Sequence, residues 1–210
     1  MQYAFYYDQS KCIGCNACVV ACKDWNGVNP GPARWRRLTV TEEGSFPNLS
    51  VFNLVIACNH CANPSCIPAC PLGAIYKRQA DGIVIVDRSL CQSIKACQAK
   101  CPFNSPQFAD SNEEPVQNSS WAVPHPMQKC TFCWDRWAVG KMPACVDSCP
   151  MRALDAGDIT ALMAKYPNAV RTVVGFPDST RDSSGNVLAT GDTQPSILFN
   201  PKTPNTPLIM

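Results

Sequence analysis

The sequence predicts an α+β protein that is rich in loops and built from two similar halves. Three observations lead there. Fifteen cysteines fall into four tight groups, nineteen prolines punctuate the chain, and CPLGAI at Cys70–Ile75 is echoed by CPMRAL at Cys149–Leu154. So much Cys and Pro leaves little room for long helices or broad sheets. The 210 residues suffice for one large domain or two small ones, so length alone does not decide the architecture.

Composition excludes several classes of function. With 46% hydrophobic residues, 16% charged ones and a net charge of +2, nothing marks nucleic acid or an anionic membrane surface as a partner. The best apolar run, Val51–Ala57, is far below the roughly 20 residues of a membrane-spanning helix. The start, MQYAFYYDQSKC, lacks the basic, apolar and small-residue regions of a secretory signal, so export would need another carrier. A disulfide framework favours an even cysteine count in a short chain. Here the count is odd and the spacing is that of metal ligands.

Along the chain, group one is Cys12, Cys15, Cys18 and Cys22, with Val19–Lys23 read as one helical turn that delivers Cys22. Phe52–Ile56 is a strand candidate. Group two follows, with Cys58, Cys61, Cys66 and Cys70. After Ile75, the Asp81–Gly82 turn and the β-branched run Ile83–Val86 predict a β-hairpin. Group three is Cys91, Cys97 and Cys101, with Ala96–Lys100 as a second helical turn; group four is Cys130, Cys133, Cys145 and Cys149. A helix is expected over Ile159–Tyr166, with Asp158 as N-cap and Pro167 as stop. Residues 1–166 are thus expected to form the ligand-bearing domain. Residues 167–210 turn polar and Pro-rich and read either as a loose tail or as an arm laid on a partner, anchored by Tyr166, Phe176, Ile197, Leu198 and Phe199. An arm contacting a partner is expected over residues 167–210.

The chemistry lies in the spacing. Group one is C-x2-C-x2-C-x3-C, the bacterial ferredoxin run, whose fourth Cys serves the other cluster in two-cluster proteins. Thiolates are soft ligands, and two intervening residues let several reach one inorganic core from a short loop. Groups two and four each stretch one interval but keep the closing x3, and the stretched loops are candidates to face a partner. Pro after Cys70, Cys101 and Cys149 removes a donor and turns the chain away behind the ligand. Zinc is the competing reading. Its structural sites close with four ligands each, and fifteen is not a multiple of four.

These motifs, with CIGCNACVVACKDWN, CNHC, DGIVIVD and CPMRALDAGD, resemble the four-cluster ferredoxin-like iron–sulfur subunits of molybdenum oxidoreductases, above all the dimethyl sulfoxide reductase type. The likeness spans Tyr3 to Leu154 and continues more weakly into the tail. It implies two ferredoxin-like halves, group one paired with group four and group two with group three. Cluster A would use Cys12, Cys15, Cys18 and Cys149; cluster B would use Cys130, Cys133, Cys145 and Cys22. Cluster C would use Cys58, Cys61, Cys66 and Cys101, leaving Cys91, Cys97 and Cys70 to cluster D. The usual fourth ligand of D falls at Ile94, which has no lone pair to give. Three 4Fe-4S clusters and one 3Fe-4S cluster then use all fifteen cysteines.

The resemblance further implies electron transfer to or from a catalytic subunit holding a molybdenum or tungsten bis-pterin. A quinone-linked membrane subunit or soluble carrier would stand at the other end, with the chain peripheral to the cytoplasmic membrane through its partners or soluble in a complex. Cluster A would face the catalytic subunit and cluster D the outer end. No motif of catalysis is present: no G-x-S-x-G, no G-x4-G-K and no H-E-x-x-H. The rivals are a free-standing polyferredoxin and a zinc-scaffold interaction protein. His60 is read as a neighbour of the ligands or a surface residue rather than a ligand, and His125 as structural. Trp25, Trp134 and Trp137 could shield clusters from water but are read as ordinary packing, and Lys95, Lys100, Lys129 and Arg136 flank ligands and could offset cluster charge without being assigned as a site.

Overall fold

In the computed structural model, which describes residues 1–110, 120–177, 179–181, 187–189 and 193–204, one strand organises the core. It is β1 (Tyr3–Asp8), buried along nearly its whole length. Its alternation divides two packing layers. Phe5 and Tyr7 enter the core that contains Cys18, Cys130, Cys145 and Cys149, whereas Ala4 and Tyr6 pack on Leu162 and Leu198. Tyr6 also stacks on Tyr166 with ring centroids 3.6 Å apart.

Strand β1 pairs antiparallel with β6 (Leu154–Asp158) and parallel with β9 (Ile197–Asn200), giving the order β6-β1-β9. Two-stranded antiparallel sheets flank it. One joins β2 (Arg37–Glu43) to β3 (Ser50–Ile56), another is the hairpin of β4 (Ile75–Lys77) and β5 (Val84–Val86), and the last joins β7 (Ser179–Arg181) to β8 (Val187–Ala189). In the β4–β5 turn Gly82 has φ 71°, a left-handed conformation that favours glycine.

The helices are short: α1 (Ala17–Trp25), α2 (Ala96–Ala99), α3 (Trp134–Trp137), α4 (Ala144–Asp147) and α5 (Ile159–Lys165). Helix α5 begins as its sequence predicts, because the Asp158 carboxylate accepts from the Thr160 and Ala161 amides. Of the others, α1 has two turns and the rest have one, and each follows or carries a cysteine.

An internal repeat goes beyond CPLGAI and CPMRAL. At one constant offset, Asp8-x-Ser10-x-Cys12 recurs as Asp87-x-Ser89-x-Cys91, Cys18 and Cys22 as Cys97 and Cys101, and Cys66 and Cys70 as Cys145 and Cys149. The strand registers repeat with it. Tyr7 faces Leu154, Tyr6 faces Asp155 and Phe5 faces Ala156; at the same offset, Val86 faces Ile75, Ile85 faces Tyr76 and Val84 faces Lys77. Each half therefore closes on one antiparallel pair, one end leading into a cysteine run and the other leading out of a C-P corner.

The tail departs from expectation. The side chains expected to anchor it on a partner are engaged within the chain: Ile197, Leu198, Phe199 and Phe176 are buried, and Tyr166 stacks on Tyr6. The physical reason is that β1 is apolar on both faces and needs a second neighbour besides β6, which the tail supplies as β9. Packing therefore does not divide at residue 166. Part of the expected arm, residues 178, 182–186, 190–192 and 205–210, lies outside the described residues.

Phe199 is fully buried, edge-on to Phe176 at 4.8 Å and to Tyr7 at 6.4 Å. Phe199→Ala is expected to destabilise the cluster-loaded protein by about 3–5 kcal/mol. That lowers its apparent unfolding midpoint on the order of 10 °C. A shift no larger than that of an exposed residue would remove β9 from the core.

Candidate metal centres

The cysteine runs are shaped by backbone turns that repeat between the halves. The Asp8 carboxylate accepts from the Ser10 amide and hydroxyl, and Asp87 does the same for Ser89, fixing the approach to Cys12 and Cys91. Beyond them the chain turns left-handed at matching places: Gly14 and Ser93, Asn16 and Lys95, Gly73 and Arg152, and His60 and Phe132, with φ between 43° and 71°. Most of these are not glycine. Side chains tolerate this region poorly, so its recurrence around ligand loops marks a constraint imposed from inside the loop.

The thiols gather in sets. Cys12, Cys15, Cys18 and Cys149 line one cavity, Cys58, Cys61, Cys66 and Cys101 a second, and Cys70, Cys91 and Cys97 a third. The three cavities have closely similar volumes of about 350, 360 and 340 Å³, open mouths included. Ile94 lines the third cavity and is 54% exposed at its rim, and Cys15, its counterpart in the repeat, is exposed at the first. The remaining thiols, Cys22, Cys130, Cys133 and Cys145, are all buried. They are close enough that Cys22 feels Cys145 and Cys133, and Cys130 feels Cys22 and Cys133. Among the described residues, no three His, Cys, Asp or Glu side chains converge tightly enough to hold a single metal ion. The thiols stand around spaces instead, as a polynuclear group requires.

Electrostatics explains what such a group must supply. Burial pushes the Cys18 and Cys97 thiols up to about 11 and those of Cys22 and Cys61 up to about 12, and neighbouring thiols add to the rise. Cys130 is raised well above the usual thiol range, again chiefly by burial. Ligation needs thiolates, so these sites suit an occupant that brings positive charge among them. The protein contributes some charge compensation itself. Amide N–H groups point at sulfur, from Ala153 to Cys149 and from Met127 to Cys91 at 3.3 Å, and from Ser105 to Cys101 at 3.4 Å. Lys129 is buried beside the second cavity, donating to the carbonyls of Val84 and Cys130.

His60 is fully buried rather than at the surface. Its Nδ1 accepts from the Val84 amide, and Nε2 has no protein partner. Desolvation first, then the nearby Lys129 charge, depress its pKa and keep it neutral. Of the flanking charges read from sequence, Arg136 stacks on Trp25 at 4.4 Å and pairs with Asp147, and Lys95 lies over Phe108. Trp137 packs on Tyr3, while Trp25 and Trp134 are about half exposed. Sequence reasoning passes over Arg36. It is buried against Phe5 and within the field of Cys145, Cys18, Cys130 and Cys22. Its only signal is the basic run Arg34-Trp35-Arg36-Arg37.

Comparison with known proteins agrees with this chemistry. A family model described as a 4Fe-4S dicluster domain matches residues 50–159, and one described as a 4Fe-4S binding domain matches residues 3–24. A component of the anaerobic dimethyl sulfoxide reductase of Escherichia coli (strain K12) is 36% identical, the match covering 96% of the present chain and 98% of that component. This protein belongs to that family of iron–sulfur electron-transfer subunits. A component of the sulfite dehydrogenase of Allochromatium vinosum is 32% identical over 83% of the present chain and 76% of its own length. The thiosulfate reductase electron transfer subunit of Salmonella typhi is 39% identical over 74% of the present chain and 76% of its own length. As a member of the family the protein holds iron–sulfur clusters and relays electrons within a multi-subunit oxidoreductase.

Because Cys149 lines the cavity of group one while Cys145, four residues earlier, lies with Cys22, ligation should cross between the runs. Cys149→Ser is expected to alter the paramagnetic signal of the group held by Cys12, Cys15 and Cys18. The signal of the group held by Cys130, Cys133 and Cys145 should be unchanged. The reverse pattern would show that each run ligates in sequence order.

Proposed function

We propose that this chain passes single electrons through four clusters in file, three 4Fe-4S and one 3Fe-4S, between a catalytic subunit and an electron donor or acceptor. Cluster A is held by Cys12, Cys15, Cys18 and Cys149, and cluster B by Cys22, Cys130, Cys133 and Cys145. Cluster C is held by Cys58, Cys61, Cys66 and Cys101, and cluster D by Cys70, Cys91 and Cys97. When bound, such groups accept and give up one electron each.

One observation carries the reading: the thiol sets are neighbours in a row. Cys18 of the first set feels Cys145 of the second, and Cys130 of the second feels Cys58 of the third. The third and fourth sets share their loops, Cys97 and Cys101 bracketing the end of α2, and Cys66 and Cys70 standing one turn apart. Both ends of the row, the cavities of Cys15 and Ile94, open to the surface. A relay with two exposed ends suits a two-electron catalytic site at one end and a separate electron donor or acceptor at the other.

For the partners, the ferredoxin-like halves and the relatives' names favour a catalytic subunit with a molybdenum or tungsten bis-pterin, which this chain does not itself hold. At the far end a quinone-linked membrane subunit or soluble carrier completes the path. No helix among the described residues is long and apolar enough to cross a membrane, so attachment to one would come through a partner. Residues 167–210 would then add to the partner contact only through what β9 and its neighbours leave free.

The composition of cluster D tests the reading most directly. Ile94 stands where the first half has Cys15, and its alkyl side chain covers the rim of the cavity without offering a ligand. Electron paramagnetic resonance of the oxidised complex is expected to show a single 3Fe-4S signal. Ile94→Cys should abolish that signal and add a fourth 4Fe-4S signature on reduction. Four intact 4Fe-4S clusters, or three clusters in total, in the unmodified protein would reject this assignment.

A further inference from the structure

The side chain of Arg36 stands between two of the thiol sets with nothing in the protein to bond. It is 3% exposed at the approach to β2, packed 4.8 Å from the Phe5 ring centroid. Its Nε and Nη2 are fully enclosed and have no hydrogen-bond partner in the chain. No carboxylate pairs with Arg36 among the described residues; the ion pairs found there involve Lys11, Arg78, Arg136 and Lys165. Burying a guanidinium without pairing or hydrogen bonds is strongly unfavourable, so something absent from the protein alone must compensate it. The charged groups around it are thiols: Cys145, Cys130 and Cys22 of one set and Cys18 of the other. Burial opposes its charge, and these thiols outweigh burial and hold its pKa up.

The neighbouring cations do not share this position. Arg37 spends its guanidinium on the carbonyls of Phe103, Asn104 and Arg34, and Lys23 donates to those of Asn29 and Ala33. Those are structural bonds that hold the β2 approach to the loop after Cys101 and to the loop after α1. In this basic run only Arg36 has enclosed N–H donors without a partner, and the thiols that act on it most are those of the first two sets.

We propose that Arg36 is a positioning residue for electron transfer, a single buried cation shared by clusters A and B that raises the reduction potentials of both together. The proposal rests on the ligand sets given above. Each cluster gains one negative charge when it takes an electron, and adjacent reduced clusters repel each other. A fixed positive charge beside both favours the reduced state of each, and N–H donors toward sulfur act in the same direction. Because the thiols that act on Arg36 most belong to the first two sets, it biases those two clusters more than the last two, although His60, between Cys58 and Cys61, also feels it.

The test is a redox titration of the intact complex followed by paramagnetic resonance, with iron and acid-labile sulfide measured on the same samples. Arg36→Met is expected to keep the iron content while lowering the reduced-to-oxidised ratio of clusters A and B at fixed potential about tenfold, or about 59 mV for one electron. Clusters C and D should move much less. Arg36→Lys, which keeps the charge, should return A and B close to their original potentials. Unchanged potentials of A and B in Arg36→Met would overturn the proposal, as would an equal fall in all four clusters. If Arg36→Met fails to load iron, Arg36→Lys decides: full loading with near-native potentials supports a charge requirement, and the same failure rejects it in favour of shape. Failure of the ligand sets themselves would appear separately, as an unmodified protein lacking the signals of A and B.

Discussion

Everything in this molecule answers to the cost of bringing fifteen thiols together inside so small a chain. Bare thiols packed this way resist ionisation, because burial and neighbouring sulfur both oppose the thiolate. Iron–sulfur clusters reverse that by placing positive charge where the thiolates converge, so ligation and folding are one event. The β-structure is correspondingly modest. A three-stranded sheet and small two-stranded ones leave the loops between them to be held by what they enclose. The left-handed turns at Ser93, Lys95, Phe132 and Arg152 make the same point, since each is unfavourable alone and reasonable only around a fixed occupant.

Chain duplication gives this constraint a simple geometry. One antiparallel strand pair per half, in the same register, brings the end of a C-P corner beside the start of a cysteine run. Cys70 is thereby set beside Cys91 and Cys149 beside Cys12, although nearly the whole ligand-bearing sequence separates the latter pair. The second half differs where its function can tolerate it: Ile94 replaces a thiol at the rim of its cavity while the turns on either side keep their shape.

Much of this is legible in the sequence, and the reason is local. Cysteine spacing, the Asp81–Gly82 turn, the β-branched run after it and the Asp158 cap all act over a few residues, so each can be read where it stands. Long-range pairing cannot. Tyr3–Asp8 is a short aromatic run whose importance depends on two partners far along the chain, β6 and β9, and nothing in the polar, Pro-rich stretch before Ile197 announces a parallel strand. Average composition makes the tail look like an arm. Four residues set against β1 outweigh that average, because β1 buried on both faces leaves an open edge that water would otherwise reach.

Arg36 is illegible for a related reason. In sequence it lies inside a basic run, and exposed arginines are ordinarily solvated. Its neighbours even follow that rule, with Arg34 exposed and Arg37 bonded to carbonyls near the surface. What separates Arg36 is its place in the bend just before β2, where Trp35 and Arg36 are both buried and the arginine meets Phe5 and the thiols. A buried cation is among the least favourable residues a core can hold, and a cluster-bearing core is one of the few where it becomes favourable, since the thiolate-bound groups carry the opposite charge. The same reasoning covers Lys129 beside the third set, whose ammonium reaches two carbonyls within the core. Two cations, Arg36 by the first two thiol sets and Lys129 by the third, thus lie buried among thiols although neither carries a ligand signature.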